Sequence, residues 1–374
     1  MNKVCPLQSI SIETAKQKQF KFVDCITKNF TGLESLTRGD LGVKKGINKP
    51  EYTCKAERAI ADFFDGEDAV LIRGAGTGAI RYALSVILKP GEKLLIHDAP
   101  IYPTTEVSIN MFGLKTVKAD FNNLDEIKRV ISENKDIKAA LVQIARQKKY
   151  DAYDAGEVIK TIKECGNFPV MTDDNYAVMK VDKIGCELGA DLSTFSCFKL
   201  QGPEGIGCVV GKKEYVEQIK KMHYSGGSQV QGFEAMEVLR GLTYAPVMLA
   251  VQAEEADKFL KEVEKGIEGI KEAYIANAQS RVVLVELDKP IAKKVLEYAE
   301  KLGALPNPVG AESKYELVPM FYKASGTFLK EDPTLIDRMV RINLNRAGAS
   351  SALRILKEAM KLALEDNKWK KDSL

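Results

Sequence analysis

The chain has 374 residues, which is too long for one small hydrophobic core and favours a large domain with a smaller companion. Its composition of 45% hydrophobic and 29% charged residues is that of a soluble globular protein. The 55 basic and 52 acidic residues leave a net charge of +3 without a basic block, so no electrostatic feature predicts nucleic acid or a membrane surface as a partner.

Short apolar runs alternate with helical patterns between about residues 55 and 245. Most of these runs have no polar residue at every second position, as is typical of strands that are covered on both faces. The intervening segments, such as residues 156–165, carry their apolar residues on one helical face. This alternation predicts right-handed crossovers and a mostly parallel sheet. The predicted strands are residues 69–73, 93–97, 139–144, 168–172, 192–196 and 207–210.

The pattern changes near Pro246, where a long amphipathic helix is followed by an alternating strand at residues 283–287 and a last helix. We therefore predict an α/β protein with a three-layer large domain and a smaller α+β C-terminal domain. The predicted boundaries are an N-terminal segment at 1–50, a large domain at 51–245 and a small domain at 246–374.

Seven cysteines without a C-x-x-C pair favour reduced thiols in a cytoplasmic protein. Cys186, Cys197 and Cys208 are evenly spaced but fall on different predicted elements, which favours buried thiols over a metal site. Only His97 and His223 are present, which argues against a metal centre or a serine-type triad. No signal-peptide core and no apolar run long enough to span a bilayer are found.

A glycine-rich turn follows the first predicted strand, between Gly74 and Ala79. Glycines let a backbone approach an anion, and the free N–H groups of a first helical turn bind it. The same segment fits the dinucleotide pattern G-x-G-x-x-A, with Asp98 about where a ribose-binding acid would stand, and it also fits plain tight packing. The turn indicates phosphate binding but does not identify the molecule that carries the phosphate. The candidate phosphate-binding residues are Gly76, Thr77 and Gly78.

Lys199 closes an apolar run and leads into a glycine-rich turn, while the preceding strand ends in Asp173 and Asp174. A carboxylate closing one buried strand and a lysine closing the next suit pyridoxal phosphate (PLP). The lysine holds the aldehyde as a Schiff base, and the carboxylate keeps the ring nitrogen protonated. A nicotinamide enzyme has no use for such a lysine, so Lys199 favours PLP over the dinucleotide.

Asp173 and Asp174 compete for the ring nitrogen, since two adjacent acids cannot both face it. Asp173 follows the strand directly and has Tyr176 three positions later, able to reach the phenolic oxygen of PLP. We favour Asp173, and Asp174 then has a capping or solvated role.

These motifs resemble those of a known family. Asp-x-x-Tyr at Asp173 and Tyr176, followed by Ser-x-x-Lys at Ser196 and Lys199, is similar to the central motif of fold-type I PLP enzymes, the aspartate aminotransferase superfamily. Several stretches resemble its Cys/Met-metabolism, class V-like branch, which includes cystathionine lyases and methionine γ-lyase. The resemblance implies that Ser196 also contacts the cofactor.

Further residues fall at positions that the family uses. Tyr102 matches the aromatic residue that stacks on the cofactor ring, which implies a catalytic role. Arg341 matches the arginine that binds the substrate α-carboxylate, with Arg346 as a second candidate. Residues 310–313 resemble a Gly-x-Glu-Ser turn, which implies that Ser313 contacts the substrate.

Two more stretches carry the resemblance. The segment around Arg38 is similar to the one that reaches a neighbouring subunit's phosphate, which implies a homodimer with shared active sites. Residues 232–242 resemble a helix that ends in Arg-Gly-Leu, at Arg240, Gly241 and Leu242.

As a whole, the chain resembles the YhfS-like group of PLP enzymes. It departs from the lyases at Tyr102-Pro103-Thr104-Thr105, which replaces their Tyr-Gly-Gly-Thr turn, and at Phe198, where a hydroxyl residue precedes their lysine. Three functions stay open. The favoured one is a PLP-dependent aminotransferase acting on an amino acid. The second is a PLP-dependent β- or γ-eliminating lyase. The third is an NAD-dependent oxidoreductase built on residues 74–79.

Overall fold

A computed structural model of the protein describes residues 4–225, 227–277, 281–324, 329 and 332–372. Its main element is a seven-stranded sheet with the order β1-β7-β6-β5-β4-β2-β3. Neighbouring strands are parallel except where β7 pairs with β1 and β6. The predicted mostly parallel sheet is confirmed. The strands are β1 (Asp68–Arg73), β2 (Lys93–His97), β3 (Lys115–Ala119), β4 (Ile137–Gln143), β5 (Val170–Asp173), β6 (Leu192–Ser196) and β7 (Ile206–Gly211).

Helices cover both faces of this sheet, because alternate residues of each strand point to opposite sides. One face packs against α4, α5 and α8. On the other face, α1, α3 and the first half of α9 cover β1, β7 and β6, while α6 and α7 cover the remaining strands. These helices are α1 (Ile12–Asn29), α2 (Gly32–Ser35), α3 (Glu51–Phe63), α4 (Ala75–Ile87), α5 (Pro103–Met111), α6 (Leu124–Glu133), α7 (Ala155–Cys165), α8 (Lys213–Met222) and α9 (Gly232–Glu264).

Strand β3 was missed by the sequence reading. It is an edge strand with one parallel partner, β2, and its Lys115, Thr116 and Lys118 are exposed. A strand with one edge in water carries no continuous apolar run, and such a run was the signal used for the others.

The C-terminal domain is built on a separate antiparallel sheet with the order β10-β11-β9-β8. The end of α9 together with α10 and α12 packs on one face. The predicted α/β class with a smaller α+β domain is confirmed. Its elements are β8 (Ile270–Ile275), β9 (Val283–Leu287), α10 (Ala292–Lys301), β10 (Met320–Lys323), α11 (Leu335–Arg338), β11 (Met339–Asn343) and α12 (Ala349–Asp372).

Helix α9 links the two domains and corrects one expectation. It does not end at Arg240-Gly241-Leu242 but continues through Pro246 to Glu264. Gly241 instead lets α9 pack closely against the turn that follows Lys199, because a Cβ there would lie 2.6 Å from backbone atoms of Gln201 and Gly202. Only glycine lets the helix approach the lysine so closely.

The domain boundaries stay a prediction. The predicted division at 245/246 falls inside α9, and residues 1–3 of the predicted N-terminal segment lie outside the described residues. Among the helices of the described ranges, none has the length and apolar character that crossing a bilayer requires.

Candidate active site

The candidate site lies at the edge of the large sheet where β5 and β6 end. Asp173, the last residue of β5, pairs with Thr194, and β6 ends two residues later at Ser196. A 3₁₀ turn (Phe198–Leu200) follows and carries Lys199. Since parallel strands present their carboxyl ends at one edge, the predicted carboxylate and lysine are brought together.

Lys199 is half-buried against an aromatic ring. Its Nζ lies 4.0 Å from the centroid of Tyr176, within the range of a cation–π contact. Tyr176 has a left-handed φ of 66°, and so has Gln201, which closes the lysine turn. Two non-glycine residues in this unfavourable backbone region indicate that the turns on both sides of the lysine are held in place by their surroundings.

The two adjacent aspartates have different surroundings. Asp174 is fully buried, and its carboxylate accepts hydrogen bonds from the Thr172 hydroxyl at 2.5 Å and the Gly185 N–H at 2.8 Å. Burial raises the pKa of Asp174 to about 7. Both oxygens of the Asp174 carboxylate therefore already accept hydrogen bonds inside the protein. Asp174 also borders the cavity that contains Lys199, but its carboxylate is engaged by these internal donors. Asp173 lines the neighbouring cleft together with Tyr102, which supports it as the residue facing a ring.

Burial also raises the pKa of Asp173, while the hydrogen bonds from Asn175 and the charge of Lys199 oppose that shift. Both bonds from Asn175, from its N–H at 3.1 Å and its side-chain amide at 2.8 Å, go to one oxygen, Oδ1. Within the described residues, the other oxygen has no recorded hydrogen bond. It is therefore the oxygen that a protonated ring nitrogen could use.

Asn175 is a site residue that the sequence reading missed. Besides binding Asp173, its side-chain oxygen accepts the backbone N–H of Ser196 at 3.0 Å. A Cβ on Gly76 would lie only 2.6 Å from the Asn175 amide. Asn175 thus joins the ends of β5 and β6 to the glycine turn. Its only sequence signal was its place between Asp173 and Tyr176.

The glycine turn has the features of an anion-binding site. Gly74 caps α4 with a left-handed φ of 99°, and a Cβ on Gly78 would lie 2.3 Å from the carbonyl oxygen of Arg73. The backbone N–H groups of Gly76 and Thr77 have no acceptor among the described residues. The Thr77 hydroxyl contacts that of Thr104 at 3.1 Å. Two free amides at a helix N-terminus suit a phosphate.

Topology argues against the dinucleotide reading of the same turn. Dinucleotide folds place this motif after a central parallel strand. Here β1 is an edge strand, and its one pairing in the described sheet is antiparallel, with β7. Asp98, the predicted ribose-binding acid, is ion-paired with Lys148.

Tyr102 precedes α5 and lies in the same cleft as Asp173 and Thr105. The Thr105 hydroxyl is buried and has no partner among the described residues. An open carboxylate oxygen, two free amides and an orphaned hydroxyl around one strand edge together fit a ring that bears a protonated nitrogen and a phosphate. The residues present therefore fit PLP.

Arg341 is buried and Arg346 half-buried, and the two differ in their contacts. Arg346 donates to the Gln252 side chain at 3.0 Å and to the carbonyl oxygen of Ser313 at 3.2 Å, so it braces the small domain. Arg341 lies with its guanidinium 3.9 Å from the Tyr322 ring centroid. Burial lowers the pKa of Arg341, and the nearby Tyr322, Tyr176 and Tyr102 oppose this. Of the two candidates, Arg341 is therefore the one whose charge interacts with Tyr176 and Tyr102, whereas that of Arg346 interacts with Glu312 and Glu316.

Two further predicted site residues, Ser313 and Arg38, are not among the described residues that line the clefts around Lys199 and Asp173. The Ser313 hydroxyl donates to Glu316 at 2.5 Å, which fixes the turn at residues 310–313. Arg38 is exposed. Contacts of these two residues with the substrate and the cofactor stay predictions.

A buried ion pair next to Lys199 was also missed. Lys180 of the large domain bonds to Glu312 of the small domain, and both are at least 95% buried. The Gln252 amide donates to the same carboxylate at 3.0 Å. Lys180 and Glu312 line the cavity that contains Lys199. A pairing between residues 132 positions apart has no local sequence signal.

His97 approaches Asp98 and Asp120 closely enough to resemble a metal site. Both ring nitrogens of His97 are already engaged in the fold. Nδ1 accepts the N–H of Phe121 at 3.1 Å, and Nε2 faces the Asp151 carboxylate at 3.1 Å. The histidine is therefore a structural tie between β2 and the loops that follow β3 and β4.

Comparison with protein families agrees with this geometry. A model of the Cys/Met metabolism PLP-dependent enzymes matches residues 50–275, and a model of the YhfS-like C-terminal domain matches residues 257–356. The uncharacterized protein YhfS of Escherichia coli is 53% identical over 96% of this chain and 99% of its own.

Solved structures give the same result. The crystal structure of YhfS from Escherichia coli, described as a pyridoxal-5′-phosphate dependent protein, has a TM-score of 0.94 and covers 96% of this chain and 99% of that one. The cystathionine γ-lyase CalE6 of Micromonospora echinospora, at 14% identity, shares the fold with a TM-score of 0.72 over 92% of this chain and 99% of that one.

A further relative in sequence is the L-methionine γ-lyase of Fusobacterium nucleatum, which is 25% identical over 57% of this chain and 55% of its own.

Proposed function

Because the chain belongs to the Cys/Met-metabolism family of PLP-dependent enzymes, we propose that it is a lyase that eliminates a group from the side chain of an amino acid. One observation carries the proposal. Lys199 and Asp173 lie at the ends of adjacent parallel strands, with the cationic Arg341 beside Tyr176. This is the minimum set for holding an amino acid and removing its Cα proton.

Arg341 is the proposed anchor of the α-carboxylate. Its Nε–H already donates to the Lys323 carbonyl oxygen at 2.8 Å, and Tyr322 lies against its plane. These contacts fix the orientation of the guanidinium before a substrate arrives. A planar fork held in this way binds a carboxylate with little loss of conformational freedom.

Lys199 is the proposed base that takes the Cα proton and delivers it to the leaving group. Bound PLP supplies an electron sink for the charge left at Cα. Asp173 holds a proton on the ring nitrogen, and Asn175 fixes the orientation of that carboxylate through Oδ1. Tyr102 shares the cleft with Asp173 and is the proposed stacking partner of the ring.

Elimination and transamination begin with the same proton removal and then diverge. In elimination the bond from Cβ or Cγ to the leaving group breaks. For a sulfur amino acid, the substrate and one water yield an α-keto acid, ammonia and a thiol. Methionine γ-lyase and cystathionine γ-lyase, named among the relatives, favour this outcome over the aminotransferase that the sequence favoured.

The proposal predicts products that need no amino acceptor. Purified protein saturated with PLP and given L-methionine, L-cysteine or L-cystathionine should release ammonia and α-keto acid in equal amounts. A coupled dehydrogenase assay and a thiol reagent measure the products. A reaction that requires added pyruvate and produces alanine would overturn the lyase proposal in favour of transamination.

We also propose that the protein works as a homodimer with shared sites. The N-terminal segment around Arg38 has three leucines that are at least 77% exposed, namely Leu33, Leu36 and Leu41. So many large apolar side chains on one short surface segment are costly in water, and a second subunit would cover them.

Mixed dimers test the proposed role of Arg38. An Arg38→Ala subunit retains Lys199, and a Lys199→Ala subunit retains Arg38, so each homodimer should be inactive. If Arg38 serves the partner's site, refolded mixtures should recover about a quarter of wild-type activity, because half the dimers are mixed and have one complete site. Inactive mixtures that still form dimers in ultracentrifugation would contradict the shared site.

A further inference from the structure

A second cleft borders the active site and has no part in the chemistry above. It is a narrow cleft that is partly open to solvent. It shares Tyr176 and Lys180 with the cavity that contains Lys199. Its outer wall is the N-terminal stretch, which is tied down where the Ile10 N–H donates to the Lys180 carbonyl oxygen at 2.8 Å. The other apolar lining residues include Pro6, Leu7, Ala145, Val181 and Ala276.

Arg281 lies at the wall of this cleft, beside its apolar lining residues. Its side chain is only 10% exposed, and its Nη2 donates to Asp257 at 3.1 Å. The Nε–H is buried and has no partner within the part of the chain that the structure describes. A buried donor without an acceptor is destabilising, and an anionic ligand would supply the acceptor.

The backbone of Arg281 is held in an unfavourable conformation, with a left-handed φ of 46°. It is the residue two positions before β9, which begins at Val283. Non-glycine residues keep such a conformation where their surroundings require it, often at binding sites. The strain and the unsatisfied Nε–H are independent observations that point to the same side chain.

Arg281 and Arg341 are connected through the small sheet. Arg341 pairs with Leu284 of β9, and Arg281 lies three residues before Leu284, just outside the strand. Tyr176 lies near both, because its phenol interacts with Arg341 and its ring lines the cleft of Arg281. A substrate held at Arg341 beside Lys199 would extend past Tyr176 toward Arg281.

The charges around the cleft also favour an anion. Lys180 is paired with Glu312, and Arg281 with Asp257, whose side chain is 40% exposed. Neither of these carboxylates lines the cleft. Among the described residues that do line it, the charged ones are Lys180 and Arg281, and both are cations.

We propose that Arg281 binds a carboxylate at the far end of the substrate's side chain, so that among amino acids the enzyme prefers those whose side chain ends in an anionic group. This inference rests on the proposed binding of amino acids at Lys199. The apolar walls contact the methylene groups, and Arg281 selects the charge.

The test compares two amino acids of similar length in equilibrium binding. L-2-aminoadipate carries the second carboxylate, and L-norleucine does not. Binding to the PLP-loaded protein is followed by the change in visible absorption, which reports substrate binding without turnover. Wild type should bind L-2-aminoadipate about 10- to 100-fold more tightly, as a charged hydrogen bond implies.

Two variants identify the responsible side chain. Arg281→Gln should remove most of that preference and leave the affinity for L-norleucine unchanged. Asp257→Asn, which frees the guanidinium from its internal partner, should preserve or increase the preference. Arg129→Gln, on the exposed face of α6, is the matched control and should behave as wild type.

Outcomes separate the two proposals. A preference smaller than about 2-fold in wild type, or one retained by Arg281→Gln, would overturn the role of Arg281. If neither amino acid changes the absorption, the proposed binding at Lys199 itself fails. Arg281→Lys, which keeps the charge but loses the planar fork, should give an intermediate preference and serves if Arg281→Gln does not fold.

Discussion

Replacing Lys199 with alanine is expected to lower kcat by about 10³-fold or more, because the group that holds PLP and the base that moves the Cα proton are lost together. The variant should still bind PLP through the glycine turn and Asp173, but without the visible absorption of a lysine-linked cofactor. Steady-state kinetics and absorption spectra at saturating PLP measure both effects.

Lys183→Ala provides the matched control, since Lys183 is exposed and does not line the cavity of Lys199. It should retain wild-type activity and colour. A loss of less than about 10-fold in Lys199→Ala, with the fold intact by circular dichroism, would show that another group performs the proton transfer.

The second large effect is expected from Asp173→Asn. Asparagine keeps an oxygen that can accept both hydrogen bonds from Asn175, so the fold should survive. It cannot keep a proton on the ring nitrogen, since an amide carries no negative charge. We expect kcat to fall by about 10²-fold or more, as when other preorganised electrostatic contacts are removed. The measurements are kcat and the melting temperature.

Asp174→Asn should show the opposite pattern. Its carboxylate accepts hydrogen bonds from the Thr172 hydroxyl and the Gly185 N–H in the interior, and an amide NH₂ would face one of those donors. We expect a lower free energy of unfolding, by about 1–3 kcal/mol, with little change in kcat of the folded fraction. If Asp174→Asn abolishes turnover and Asp173→Asn does not, the two aspartates have been assigned the wrong way round.

The fold of the large domain could be predicted because its strands are buried on both faces. Val70 and Ile72 of β1 pack on one side and Ala69 and Leu71 on the other, so the strand is a continuous apolar run in the sequence. Helix α9 was harder to read, since a proline within it resembles a boundary. Pro246 is buried in its interior, and packing overrides the local signal.

The candidate site could be predicted from the sequence only where a reactive residue type stands at the end of a predicted strand. Asp173 ends one buried strand and Lys199 follows the next, so topology alone brings them together. Lys180 and Glu312 meet across the two domains, and Arg281 reaches its cleft through the packing of the N-terminal stretch. Contacts between distant segments depend on how the domains pack, which no local pattern encodes.

The central claim is that PLP is linked to one particular amine. Reduction of the PLP-saturated protein with borohydride, digestion and mass spectrometry of the peptides test it directly. The account predicts a pyridoxyl group on the peptide that contains Lys199, and none on the one that contains Lys180. Modification at Lys180 instead, or no modified lysine in a protein that has taken up the cofactor, would contradict it.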